Sequence, residues 1–216
     1  MDKIKVTLLV FVLVSILDIV GIIFKIPLMV YIFKPLIIFT LLFLYVFSLP
    51  KRLKWYVIAL ELSFFGDVLL MFNGELFFIA GLISFLLAHV LFIKIVIDRI
   101  EKIDLKTALI SSIPFIIVAG LLVNTLKNSL NEMLIPVIIY GLVISAFGTV
   151  ALIDYLKTKS KSALLMLVGA VIFIISDATL AINKFYAPSH SLEIGVMVTY
   201  VLAQYSIFRS MILVKE

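Results

Sequence analysis

The chain has 216 residues, 64% of them hydrophobic, a mean hydropathy of +1.30 and only 14% charged residues. Soluble domains hold roughly 45 to 50% apolar residues, so this composition excludes a water-soluble globule and describes a polytopic membrane protein. The net charge of +5 does not imply nucleic acid, because its lysines and arginines sit in short connections between apolar runs, and the absence of cysteine removes disulfides, thiolate nucleophiles and thiolate ligands.

Windows of about 20 apolar residues give eight candidate spans: Val6 to Phe24, Met29 to Ser48, Trp55 to Phe72, Leu76 to Ile97, Thr107 to Thr125, Met133 to Ile153, Ala163 to Ile182 and Leu192 to Val214. The fold class expected is all-α, a bundle of eight transmembrane helices forming one domain over residues 1–216. Lys3 and Lys5 ahead of the first run imitate a secretory signal, but no small-residue cleavage site follows and Asp18 interrupts the run. An uncleaved first span is expected.

Eight spans place both termini on one side. Of the 18 Lys and Arg residues, 14 fall on that side: Lys3, Lys5, Lys51, Arg52, Lys54, Lys94, Arg99, Lys102, Lys106, Lys157, Lys159, Lys161, Arg209 and Lys215. The positive-inside rule makes it cytoplasmic. Asn73-Gly74 reads as a tight turn between the third and fourth spans.

Two stripes share a spacing, Gly81-x-x-x-Phe85-x-x-Ala88-His89 and Gly169-x-x-x-Phe173-x-x-Ser176-Asp177. Residues four apart lie on one helical face, so each stripe offers a small residue for close packing, then an aromatic ring, then a polar group. Duplication and coincidence both account for the pair.

Ionisable groups inside these spans are the candidate functional residues, because a charge at mid-bilayer costs roughly 2.5 to 3.5 kcal/mol on insertion scales unless it is paired, solvated or used. At 1.5 Å per residue, Asp18, Asp67 and Asp177 lie roughly 18 to 21 Å from the cytoplasmic ends, and Lys34, Tyr140 and Tyr200 come to a similar depth. Glu61, His89 and Gln204 form a second layer roughly 10 Å nearer the cytoplasm.

Asp67 and Asp177 have two readings. One is a structural ion pair with Lys34. The other is an acid and a base, since two carboxyls near one lysine leave one protonated beside one ionised. His89 reads either as a buried, hydrogen-bonded histidine or as a functional group, and with His190 as the only other histidine a three-histidine zinc site is ruled out; no metal or cofactor is expected. Tyr140, Tyr200 and Gln204 either bond between helices or contact substrate. Ser176 adjoins Asp177, but without a Gly-x-Ser-x-Gly elbow no serine triad assembles. Asp18 and Glu61 carry no assigned role.

Lys34-Pro35, Gly66-Asp67-x-Leu69-Leu70, the two stripes above and Thr199-Tyr200-x-x-Ala203-Gln204, in this order from the second span to the eighth, resemble the YhhN-like lysoplasmalogenase family. The resemblance implies a membrane hydrolase that cleaves the vinyl ether bond of a lysophospholipid of the lysoplasmalogen type, releasing a fatty aldehyde and a glycerophospho-base. It places the family's acidic pair on Asp67 and Asp177, with Lys34, His89, Tyr140, Ser176, Tyr200 and Gln204 supporting, in the inner (cell) membrane of a bacterium among its lipids. The competing class is a proton-coupled transporter or channel using the same carboxylates, although no interrupted pair of helices is evident. A purely structural membrane protein is the third reading. Head-group and chain preference and oligomeric state have no signature in the sequence.

Overall fold

The computed structural model describes residues 2–214, so Lys215, counted above among the cytoplasmic charges, lies outside the described residues. Eight α-helices are found among them: α1 Lys3–Ile23, α2 Pro27–Ser48, α3 Lys54–Leu70, α4 Glu75–Ile97, α5 Leu105–Leu130, α6 Leu134–Thr158, α7 Lys161–Phe185 and α8 His190–Leu213. No strand occurs among the described residues. A short 3-10 turn, Asn131–Met133, joins α5 to α6. Each helix lies within a few residues of its predicted span, apart from the last turn of α5 and that of α6.

Helices α1, α2, α4, α7 and α8 are each long and apolar enough to cross a membrane, and so is the stretch from Leu105 to Thr158. The 17 residues of α3 reach only about 25 Å, short of the ~30 Å hydrocarbon core. Large apolar side chains stay exposed along these helices, among them Leu9, Phe39, Phe65, Leu87, Ile117, Leu142 and Ile175. Water would penalise such a surface; lipid does not. The chain is an integral membrane protein.

Helix ends follow local chemistry. Asp2 caps α1 by accepting from the Ile4 amide at 3.2 Å, and Asp104 caps α5 by accepting from the Thr107 amide at 2.8 Å. These bonds to Thr107 hold the Asp104 carboxyl below its ordinary pKa. Ser160 caps α7 through the Ala163 amide at 3.0 Å. The connection between α3 and α4 turns at Gly74, whose φ of +119° only glycine adopts without strain.

The chain divides into two compact units, residues 1–91 and 92–214, with the break inside α4. In the first, α1 packs on α2 at Gly21, where an added Cβ would come within 2.8 Å of Met29 Cβ. Helices α3 and α4 pack as a hairpin: a Cβ on Gly66 would meet the Phe85 ring at 2.6 Å, and one on Gly81 would meet Leu70 at 2.8 Å. Ser84 Oγ donates to the Leu62 carbonyl at 2.8 Å across the same contact. Tyr45 and Tyr56, both fully buried, meet edge to face with ring centroids 4.6 Å apart between α2 and α3.

In the second unit α7 and α8 form the closest pair. A Cβ on Gly169 would lie 2.7 Å from Ile207 and 3.2 Å from the Ala203 carbonyl. Further along, Phe173 meets Tyr200 edge to face at 5.6 Å, and Ser176 Oγ donates to the Val196 carbonyl at 3.0 Å. Gly148 of α6 leaves room for Phe115 of α5, 2.6 Å from where a Cβ would stand. Both predicted stripes therefore face a neighbouring helix.

Because these approaches are closer than any Cβ tolerates, Gly66→Ala and Gly169→Ala are each expected to cost about 1 to 3 kcal/mol through overpacking. Gly195→Ala, with open space around it, serves as the control. Thermal unfolding in detergent checks this: both variants lose several degrees while Gly195→Ala holds the wild-type midpoint.

Candidate functional site

In the first unit Asp67 is 3% exposed, one residue beyond the glycine that receives the Phe85 ring. It shares the buried face of α3 with Ser63, Leu60, Ala59 and Tyr56. His89 is also buried, one turn beyond Phe85. Its Nδ1–H donates to the Phe85 carbonyl at 2.8 Å. A neutral ring bonded this way carries no proton on Nε2, which is then an acceptor.

Asp18 of α1 is fully buried. Lys34 lies on α2, immediately before Pro35, and is partly exposed. Within its unit it forms no ion pair among the described residues. Glu61, expected in the inner polar layer with His89, instead lies on the exposed side of α3. It precedes Asp67 by six residues, so at 100° per residue the two point about 120° apart.

In the second unit the Tyr140 hydroxyl donates to Asp177 Oδ2 at 2.5 Å, joining α6 to α7. Tyr140 is buried and Asp177 partly buried, so two of the residues assigned to one depth by counting do meet. Tyr200 is buried, and Gln204 Nε2 lies 3.4 Å from its hydroxyl oxygen. Gln204 is fully buried and its Oε1 has no hydrogen-bond partner among the described residues. A buried amide oxygen left this way is open to a hydroxyl from water or ligand. Ser176, by contrast, spends its hydroxyl on the Val196 carbonyl, so it ties α7 to α8.

Sequence reasoning gave no role to a polar cluster at the other end of this unit. Asp154 of α6, with a side chain 3% exposed, faces Arg99 Nη1 at 4.0 Å. Arg99 also reaches Ser210 Oγ at 3.4 Å and Met211 Sδ at 2.9 Å on α8. Ser162 of α7 donates to the Ser210 carbonyl at 3.0 Å. The signal was present, since Asp154 is an acid near the end of an apolar span, but only the folded chain brings Arg99 to it.

The sequence profile of the YhhN family matches residues 29–211. The chain belongs to the YhhN family. Two relatives, each named lysoplasmalogenase, come from Mycobacterium bovis and Mycobacterium tuberculosis, and each is 30% identical over 158 residues. That alignment covers 71% of this chain and 59% of each relative, so the chain spans little more than half their length. No solved structure matches the chain at a significant level. The family match includes Asp67, His89, Tyr140, Asp177, Tyr200 and Gln204, and leaves out Asp18.

Arg99 is partly exposed and 4.0 Å from Asp154, so removing it leaves that carboxylate short of a partner at a cost of about 1 to 3 kcal/mol rather than that of a fully buried pair. Arg99→Met is therefore expected to destabilise by that amount, and adding Asp154→Leu to restore part of the loss. A double-mutant cycle read by urea or thermal unfolding tests the coupling: a double variant that simply sums the two losses would show that the pair does not interact.

Proposed function

We propose that this chain hydrolyses the vinyl ether bond of a lysoplasmalogen-type lysophospholipid by acid/base catalysis at Asp67 and Asp177. Family membership and similarity to proteins named lysoplasmalogenase support the reaction class. The observation that carries the mechanism is the hydrogen bond from Tyr140 to Asp177, which orients a carboxyl within an apolar span.

A vinyl ether is cleaved by adding a proton to its β-carbon, which converts the C=C–O unit into an oxocarbenium ion. One of Asp67 and Asp177, as the carboxylic acid, supplies that proton. The other acts as the carboxylate: its negative charge stabilises the cation and takes a proton from the attacking water, and Tyr140 orients the Asp177 carboxyl for either part. Water adds to the oxocarbenium carbon to give a hemiacetal. The hemiacetal then collapses: its O–H proton goes to the carboxylate that gave the first proton, the proton taken from water goes to the departing glycerol oxygen, and fatty aldehyde and free glycerol hydroxyl are released with both carboxyls reset. Gln204 Oε1 and the Tyr200 hydroxyl hold water or glycerol oxygens, and Lys34 and His89 serve the head group or the local charge.

We read the eight helices as eight crossings in one membrane domain, with both termini on the cytoplasmic side of a bacterial cell membrane and membrane lipid as the source of substrate. Lipid with a single chain would enter sideways between helices. A proton-coupled transporter is the less favoured reading, because the relatives carry a hydrolase name.

The test is aldehyde release from a lysoplasmalogen by the purified full chain in detergent. Wild type is expected to be active, and Asp67→Asn and Asp177→Asn each to lose at least ~10²-fold in kcat, the usual contribution of a positioned acid or base. Tyr140→Phe, which keeps both carboxyls, is expected to lose about tenfold in kcat with little change in KM. Wild-type rates in both folded Asn variants would refute the two-carboxylate mechanism, and an inert wild type would refute the substrate.

A further inference from the structure

Within the second unit, the connection after α4 and the end of α6 enclose a cleft of about 360 Å³, lined by Arg99, Ile100, Glu101, Lys102, Lys157 and Thr158. Three cations and one acid line it. Lys157 Nζ donates to the Lys102 carbonyl, which draws the connection onto the last turn of α6. At the back, Arg99 is braced by Asp154, Ser210 and Met211. Asp154 offsets part of the Arg99 charge, and Asp104, near enough to Lys157 to feel it, is turned to the Thr107 amide as a helix cap. Lys102 and Lys157, both exposed, line the cleft with only Glu101 among the lining residues to balance them.

The surroundings are apolar. Ile97, Ile103, Leu105 and Leu156, close in sequence to the lining residues, all expose their side chains, Leu105 by 75%. A basic cleft among exposed apolar residues at the end of membrane helices suits an amphiphile: phosphate in the cleft, acyl chains along the helices. Soluble phosphate would use only the cleft.

We propose that this cleft binds the phosphate of an anionic membrane lipid. The site is separate from the proposed carboxylate chemistry: Asp177 is 16 residues along α7 from Lys161 at the cleft end, about 24 Å. Its occupancy tethers α4, α6 and α8 through Arg99 to the lipid surface, and it does not depend on which reaction the protein performs.

The experiment uses the full chain in detergent, titrated with dioleoyl-phosphatidylglycerol in mixed micelles and followed by native mass spectrometry and thermal shift. Dioleoyl-phosphatidylcholine and inorganic phosphate are run in parallel. Wild type is expected to retain phosphatidylglycerol saturably and to gain in melting temperature. The double variant Lys102→Gln/Lys157→Gln, both exposed positions, is expected to bind roughly 30-fold more weakly, following the loss of two basic contacts. Glu101→Gln is expected to bind more tightly, an effect that a merely structural role for the lysines does not produce. Equal retention of phosphatidylglycerol by the double variant, or equal stabilisation by phosphatidylcholine, would overturn the site. Stabilisation by inorganic phosphate alone to the same extent would overturn the lipid as its occupant.

Discussion

Every ionisable side chain on these apolar helices must be satisfied without bulk water, and the helices approach closely enough to do it because glycine stands where they touch. A carboxylate in hydrocarbon costs several kcal/mol when left alone. Asp177 meets that cost in part through the hydroxyl of Tyr140 on the next helix. Gly148 on the same α6 admits Phe115, and Gly169 on α7 admits Ile207, so α6 and α7 each lie hard against a further neighbour. In membranes, where lipid tails are as apolar as leucine, such van der Waals contact and interhelical hydrogen bonds replace the hydrophobic drive of soluble folding.

The same device occurs in each unit. In the α3–α4 hairpin Gly81 receives Leu70, Phe85 covers Gly66, and the His89 ring then bonds to the Phe85 carbonyl. In the α7–α8 pair Gly169 receives Ile207, Phe173 meets Tyr200, and Ser176 closes onto Val196 just before Asp177. Small residue, ring and polar group succeed one another at helical spacing in both, so the ionisable residue emerges at the end of a rigid contact. Asp67 follows Gly66 directly, and the ring on Gly66 fixes the backbone from which its carboxyl projects.

Much of this was legible in the sequence because the period of a helix converts spacing into a face. Helix positions followed from apolar run length, and the shared depth of Tyr140 and Asp177 from counting residues at 1.5 Å each, though not that these two would bond. What spacing along one helix does not reveal is rotation relative to a neighbour. Glu61 was placed by depth with His89, yet depth carries no azimuth, and on α3 it points away from Asp67. Ser176 looked like part of a polar site because it adjoins Asp177, but adjacent residues on a helix diverge by 100° and its hydroxyl goes to α8. Arg99 belonged to a loop by composition, and its partners on α6 and α8 lie 55 or more residues away in sequence.

The cluster around Arg99 also bears on why lysines gather at that end of the second unit. The positive-inside rule accounts for their side of the membrane, but not for their arrangement, since scattered exposed lysines would satisfy it equally well. Here Arg99 is held in place by a buried carboxylate, a hydroxyl and a thioether, while Lys157 is bonded to the connection that carries Lys102. Ordering long cationic side chains costs up to roughly 2 kcal/mol each in rotamer freedom. A topology signal alone does not require that cost. Two anchored cations, Arg99 and Lys157, beside exposed apolar side chains are better matched to a ligand with a phosphate and a chain, and this is the physical ground on which the basic end becomes a site as well as an address.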